Sequence, residues 1–288
     1  MYELAIGWLA SERVRLSGGA HRHHLNQRGN LLFSTDEADS RWEIDTRGIE
    51  LGAEVAISDT LSSALTVSRE RRAIKDDKDT QRTGYAALVT YQPDPRLSVT
   101  LSAELNRMAD PFTLASATDS HRWRLRGQYR WQNGLLLSAA LRRTARENDN
   151  SGWSASSRQA NLRISWQGEN LAASLGLSRV DQQRDINQLV VGGTRNDLLG
   201  IGYTAESDFA DASMQWRLSD RARLSASYTR YDNAGSFAVE RDDTRVGVDL
   251  TLVTDYQLLI SYRKLDYEED RLEAFDADIW EVALRFGW

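Results

Sequence analysis

The stretch Arg122-Trp123-Arg124-Leu125-Arg126-Gly127-Gln128-Tyr129-Arg130-Trp131-Gln132-Asn133-Gly134 decides the fold. Trp123, Leu125, Tyr129 and Trp131 fall on odd positions, while Arg122, Arg124, Arg126, Gln128 and Arg130 fill the even ones. Successive strand side chains point to opposite faces, so this segment forms a strand with one oily and one wet face. A helix would mix the two sets around its circumference. Asn-Gly then closes the run with the residue pair that favours a tight hairpin turn.

Working outward, the same period recurs along the chain. Ala160, Leu162, Ile164 and Trp166 alternate with Gln159, Asn161, Arg163 and Ser165. Val246, Val248, Leu250 and Leu252 alternate with Arg245, Gly247, Asp249 and Thr251. Trp280, Val282, Leu284, Phe286 and Trp288 alternate with Glu281, Ala283, Arg285 and Gly287. No comparably long window carries a helical stripe.

Composition narrows the classes. The 288 residues include 9 Trp and 10 Tyr, too many bulky groups for a disordered chain, and no Cys. The missing cysteine excludes a disulfide scaffold, a thiolate metal site and a Cys nucleophile. A net charge of −6 speaks against a nucleic-acid partner. No run approaches the roughly 20 apolar residues of a spanning helix. The mean hydropathy of −0.54 is that of a soluble protein, yet it equally fits a membrane barrel, where half of each strand is polar.

Punctuation separates short turns from long connections. Compact polar turns fall at Ser58-Asp59-Thr60, Pro93-Asp94-Pro95, Gln132-Asn133-Gly134, Gly168-Glu169-Asn170, Ser219-Asp220-Arg221 and Thr254-Asp255. Between them lie longer polar stretches, read as loops: Lys75–Arg82, Met108–Ser120, Arg146–Ser156, Asp181–Asp197, Asp232–Asp243 and Asp266–Asp278. Short turns on one side and long loops on the other are the asymmetry of a transmembrane barrel. The spacing predicts fourteen strands, centred near residues 6, 50, 66, 88, 101, 127, 139, 162, 175, 212, 226, 249, 260 and 284, with both termini on the short-turn side. Sixteen fit if a hairpin hides where the turn signals fail, between Ala10 and Arg41 or within Leu189–Tyr203.

The sequence thus predicts an all-β, antiparallel up-and-down transmembrane barrel spanning 1–288 as a single domain, located in the bacterial outer membrane. The rival is a soluble sandwich or hairpin solenoid. Against it, Tyr91, Trp131, Trp166 and Trp216 all sit just before short turns, as an aromatic girdle at one membrane interface would. Tyr85, Trp123, Tyr228, Tyr262 and Trp280 supply the opposite girdle. The oily faces carry almost no charge at mid-strand, where an Arg would cost about 2–4 kcal/mol in lipid. Closure also removes both sheet edges, which lipid cannot hydrogen-bond.

The complementary residues would line the lumen. They are acidic early (Glu3, Glu50, Glu54, Glu70, Glu104) and basic in the middle (Arg122, Arg124, Arg126, Arg130, Arg142, Arg163). Later strands mix Arg217, Arg223, Arg245, Arg263 and Arg285 with Asp211, Asp249 and Glu281. Two readings stay open. The charges pair across strands and merely keep the wall wet, or opposed charged walls orient polar solutes and present guanidinium donors to the hydroxyls and carboxylates of a sugar chain.

Other constellations are weaker. His21, His23 and His24 lie in a stretch read as a solvated loop, without the carboxylates of a metal site. His121 beside Asp119 and Ser120 invites a rim-enzyme reading, but sequence adjacency does not make a triad. No catalytic residue, metal or cofactor is expected. Charged runs such as Lys75-Asp76-Asp77-Lys78-Asp79 read as loop tips that touch lipopolysaccharide.

The hairpin grammar of Gly48-Ile49-Glu50-Leu51-Gly52-Ala53-Glu54-Val55-Ala56-Ile57-Ser58-Asp59-Thr60-Leu61 resembles that of Gram-negative outer-membrane β-barrels. The alternating aromatic end, Trp280 to Trp288, resembles the C-terminal signal read by the barrel-assembly machinery. Within that group the chain is similar to the C-terminal porin domains of exopolysaccharide-export proteins of the Pel, poly-N-acetylglucosamine and cellulose systems. The resemblance implies a passive export channel, following a periplasmic helical-repeat region. Met1 is followed at once by Tyr-Glu-Leu-Ala-Ile-Gly-Trp, too short and polar for a signal peptide, which suits the expectation of a C-terminal piece. The alternatives are a general small-solute porin and a sheath around a lipoprotein or other periplasmic partner.

Overall fold

The computed structural model describes residues 2–33, 36–74, 79–109, 117–192, 195–253, 256–270 and 273–286, with the backbone alone at 26–43, 74, 186–201 and 253. It is all strand: β1 (Tyr2–Ser11), β2 (Val14–Phe33), β3 (Asp36–Ser58), β4 (Leu61–Ile74), β5 (Thr80–Asp94), β6 (Leu97–Ala109), β7 (Asp119–Arg130), β8 (Leu135–Asn148), β9 (Trp153–Gln167), β10 (Leu171–Gly192), β11 (Arg195–Ser219), β12 (Ala222–Gly235), β13 (Val239–Val253), β14 (Tyr256–Glu269) and β15 (Ala274–Phe286). They form one 15-stranded sheet in sequence order, each strand antiparallel to the next. The architecture is the up-and-down antiparallel sheet of a transmembrane barrel. No described helix is long and apolar enough to cross a membrane.

Fifteen strands replace the expected fourteen. The fourteen predicted centres each fall in a strand, and the addition is β2, in the stretch without turn signals. Its turn, Glu12-Arg13, uses no Gly, Asn or Pro. Instead Ser11 Oγ accepts a hydrogen bond from the Arg13 amide at 3.3 Å. Ser58 and Ser219 do the same for Thr60 and Arg221, each at 3.3 Å. A local side-chain bond thus replaces special backbone geometry. Leu189–Tyr203 hides no extra hairpin, because β10 and β11 run on through it, paired as far as Gly192↔Arg195.

The odd count also corrects the position of the ends. β1 starts on the long-connection side and β15 finishes on the short-turn side. No described pairing joins these two edges. Because β1 and β15 run in the same direction, one antiparallel strand between them would complete an all-antiparallel cylinder.

Most long polar stretches are strand, not loop. β8 reaches Asn148 and β9 resumes at Trp153; β12 reaches Gly235 and β13 resumes at Val239; β14 reaches Glu269 and β15 resumes at Ala274. Past the oily band the alternation continues with polar residues, and cross-strand charge pairs hold it. His21, His23 and His24 likewise lie within β2, not in a loop. The Thr254-Asp255 turn, Trp288 and Lys75 to Lys78 lie outside the described residues.

There is no conventional core. Ile44 and Ala205 are the only buried hydrophobic residues among those described. The apolar side chains form a continuous band instead: Leu51 is 63% exposed, Val282 70% and Trp280 72%. So much contiguous apolar surface is tolerated only where something apolar covers it. In a bilayer that is acyl chain, and the described strands pair neighbour to neighbour across the band from β1 to β15, leaving backbone unpaired at the two edges.

Candidate functional site: the charged face

Strand register sorts the residues into two faces. Starting from Leu101↔Leu125↔Leu141, the neighbours in register are Val89 on β5 and Ala160 on β9, so this row across one face is apolar. The residues the sequence assigned to the lumen share the opposite face: Glu3, Glu50, Glu54, Glu70, Glu104, Arg122, Arg124, Arg126, Arg130, Arg142, Arg163, Asp211, Arg217, Arg223, Arg245, Asp249, Arg263, Glu281 and Arg285. Tyr91, Trp166 and Trp216 lie on the apolar face beside short turns. Trp166 Nε1 donates to the Asn133 carbonyl at 2.9 Å, which ties the ring to the β7–β8 turn. Trp131 stands edge-on to Tyr129, with ring centres 4.4 Å apart. On the other rim, Tyr228 and Tyr262 donate to Asp242 (2.6 Å) and Asp278 (2.5 Å), the geometry of amphipathic rings with a wet end.

The charged face is not uniform. On β7, Arg122, Arg124, Arg126 and Arg130 occupy alternate positions, and Arg142 on β8 stands directly opposite Arg124. Arg122 Nη1 donates to Glu104 Oε2 at 3.1 Å. Arg124, Arg126, Arg130 and Arg142 make no ion pair among the described residues. The positions flanking Arg142 on this face of β8 and β9 are Ala140, Thr144, Ser157, Gln159 and Asn161, none of them acidic. Like charges directly opposite each other are unfavourable unless water or an anion screens them. This wall is therefore a rack of free guanidinium donors.

Arg163, Arg241, Arg245 and Arg263 on the same face are paired with acids. Arg163 Nη2 reaches Asp211 at 2.9 Å across the intervening β10. The residue between them is Gly176, and any Cβ there would collide with the Asp211 carboxylate. Toward the outer end of β13, Asp243 accepts from Arg263 (2.8 Å), Arg245 (3.0 Å) and Arg241 (3.1 Å) and is only 5% exposed. Asp243 was the residue sequence reading missed, because the Asp232–Asp243 stretch looked like loop. The alternation Arg241, Asp243, Arg245 was its available signal. At the other end of the face, Arg217, Arg223, Asp249 and Arg285 line a hollow of about 220 Å³.

The minor constellations come apart. His21 approaches Glu70 at 3.6 Å, and His21 and His23 rings lie 5.2 Å apart. The described residues contain no group of three or more His, Asp or Glu side chains placed to hold a metal. His121 lies on the apolar face while the adjacent Ser120 lies on the charged one, and Asp119 is engaged by Arg107 at 3.1 Å.

Fold and face define a class: this is the architecture of outer-membrane β-barrels. The chain is similar in fold to the siderophore receptor PirA from Pseudomonas aeruginosa, with 11% identity, a TM-score of 0.58, and coverage of 99% of this chain and 64% of that one. It is also similar to a variant of the ferric enterobactin receptor PfeA from the same organism, with 8% identity, a TM-score of 0.50, and coverage of 90% and 54%. The chain thus spans less than two thirds of the length of these receptors. No protein family's sequence profile matches it. No curated protein matches it either.

Proposed function

We propose that this chain forms a passive channel in the bacterial outer membrane, whose charged, water-filled lumen exports a hydrophilic polymer, most directly an exopolysaccharide. The observation that carries this reading is the set Arg124, Arg126, Arg130 and Arg142 on β7 and β8, which has no acid partner among the described residues. Structural arginines are paired, as at Asp243 and Asp211; unpaired ones keep their donors available. A sugar chain offers hydroxyl and carboxylate acceptors along its whole length, and a ladder of donors hands it from one site to the next without holding it. The chemistry is binding and release alone, without cofactor or covalent step. In this reading the barrel-assembly machinery inserts the domain, lipid and lipopolysaccharide surround it, and a periplasmic region of the same protein or a lipoprotein partner delivers the polymer.

Planar-bilayer recording tests it. Purified barrel is expected to conduct, and an acidic polysaccharide added to one side is expected to block the current reversibly. Deletion of the gene is expected to abolish polymer secretion. Intact secretion together with a steady conductance indifferent to polysaccharide would instead make it a small-solute porin.

A further inference from the structure

A second arginine feature lies on the other side of the wall. On the apolar face, Arg143 of β8 stands directly opposite Arg158 of β9, just past the oily band. Neither makes an ion pair among the described residues. The nearby Arg179 is already held by Asp181 (3.1 Å) and Glu206 (3.0 Å), with Asp208 at 3.8 Å. Asp181, the acid opposite Arg158 in register, turns its Oδ1 to Arg179 and makes no ion pair with Arg158. Two facing guanidiniums without an anion repel, so the pair calls for a ligand of opposite charge.

Beneath this pair the wall is hollow. A groove of about 300 Å³ runs past Trp123, Leu125, Leu141 and Ala160 with Arg143 and Arg158 at its rim. It continues, sharing Leu141, Ala160 and Arg179, into a second groove of about 660 Å³ over Ala139, Leu162, Leu177 and Ala210. The hollow exists because small residues sit where neighbouring rows carry large ones. At Gly127, beside Ala139 in register, an added Cβ would meet nothing within 4 Å.

We infer that this groove is a site for a phosphorylated, acylated lipid, with phosphate bridging Arg143 and Arg158 and an acyl chain lying over the alanines. Charge and depth select that occupant: arginines at headgroup height accept a phosphate through paired N–H donors, and the apolar floor below takes hydrocarbon. The site rests on the reading that the apolar band faces lipid, but not on what passes through the lumen.

Native mass spectrometry of the detergent-folded protein tests it, with diphosphorylated lipid A, its phosphate-free form and inorganic phosphate as probes. Phosphorylated lipid A is expected to bind at least about tenfold more tightly than the phosphate-free form. R143Q/R158Q is expected to remove that preference while keeping the heat-dependent gel shift of a folded barrel and its conductance. A160W, which fills the groove and leaves both arginines, is expected to weaken both lipids. Equal binding of the two lipids, competition by inorganic phosphate alone, an unchanged R143Q/R158Q variant, or a dimer that excludes lipid would each overturn the assignment. Loss of conductance in the wild-type protein would strike the channel reading and leave this one standing.

Discussion

Two arginine clusters on the same charged face behave oppositely. At Asp243 three guanidiniums converge on one carboxylate that is almost out of water. On β7 and β8 the side chains of Arg124, Arg126 and Arg142 make no ion pair among the described residues. Residue type is the same; the partner differs. The first cluster fastens β13 to β14, and the second contributes nothing to the sheet's cohesion that another polar residue would not.

The comparison can be broken by substitution. Asp243→Asn leaves three guanidiniums without a counter-charge and is expected to cost about 2–3 kcal/mol, less than in a fully buried network because the arginines are partly in water. The urea midpoint of refolded protein in vesicles measures it, and an unchanged midpoint would erase the distinction. Arg124→Gln with Arg142→Gln relieves a like-charge pair. It is expected to leave stability unchanged or raise it by a few tenths of a kcal/mol, while anion preference falls. A loss comparable to that of Asp243→Asn would make both clusters structural.

The contrast can also be sharpened. Ala140→Asp places an acid directly opposite Arg126 and turns the free cluster into a paired one. The expected outcome is a reversal potential closer to zero with no arginine removed. A smaller effect concerns a third cluster, beyond the oily band. There Arg22 and Arg47 donate to Asp45 and hold its carboxyl down at about 2. A folded-state value below the unfolded one means the contribution is complete above the ordinary carboxylate range and lost as pH falls toward 2. Asp45→Asn is expected to speed protease nicking of the β2–β3 hairpin at neutral pH, and that difference should shrink in acid.

The fold was legible wherever alternation was clean, as from Trp123 to Trp131. Faces followed from that alone, because a period of two admits no third position. The strand count failed at β2, whose turn at Glu12-Arg13 carries none of the residues that mark a hairpin. The signal was there in another form: Ser11-Glu12-Arg13 repeats the pattern of Ser219-Asp220-Arg221, a serine bonding two residues ahead. The expected loops are largely strand because polarity in these stretches does not mean irregular backbone. Outside hydrocarbon a strand needs no oily face, and ion pairs such as Arg179 with Glu206 carry it onward. Membership of the charged face was readable from the sequence, whereas pairing was not. That Arg163 reaches Asp211 past Gly176 depends on the register of three strands, which no local pattern encodes.

The most direct measurement is the reversal potential of single barrels in a salt gradient, wild type against Arg124→Glu with Arg126→Glu. The account predicts an open, anion-preferring channel whose selectivity moves toward cations in the variant at similar conductance. A folded protein that never conducts, or two identical reversal potentials, would mean that this face does not line a pore.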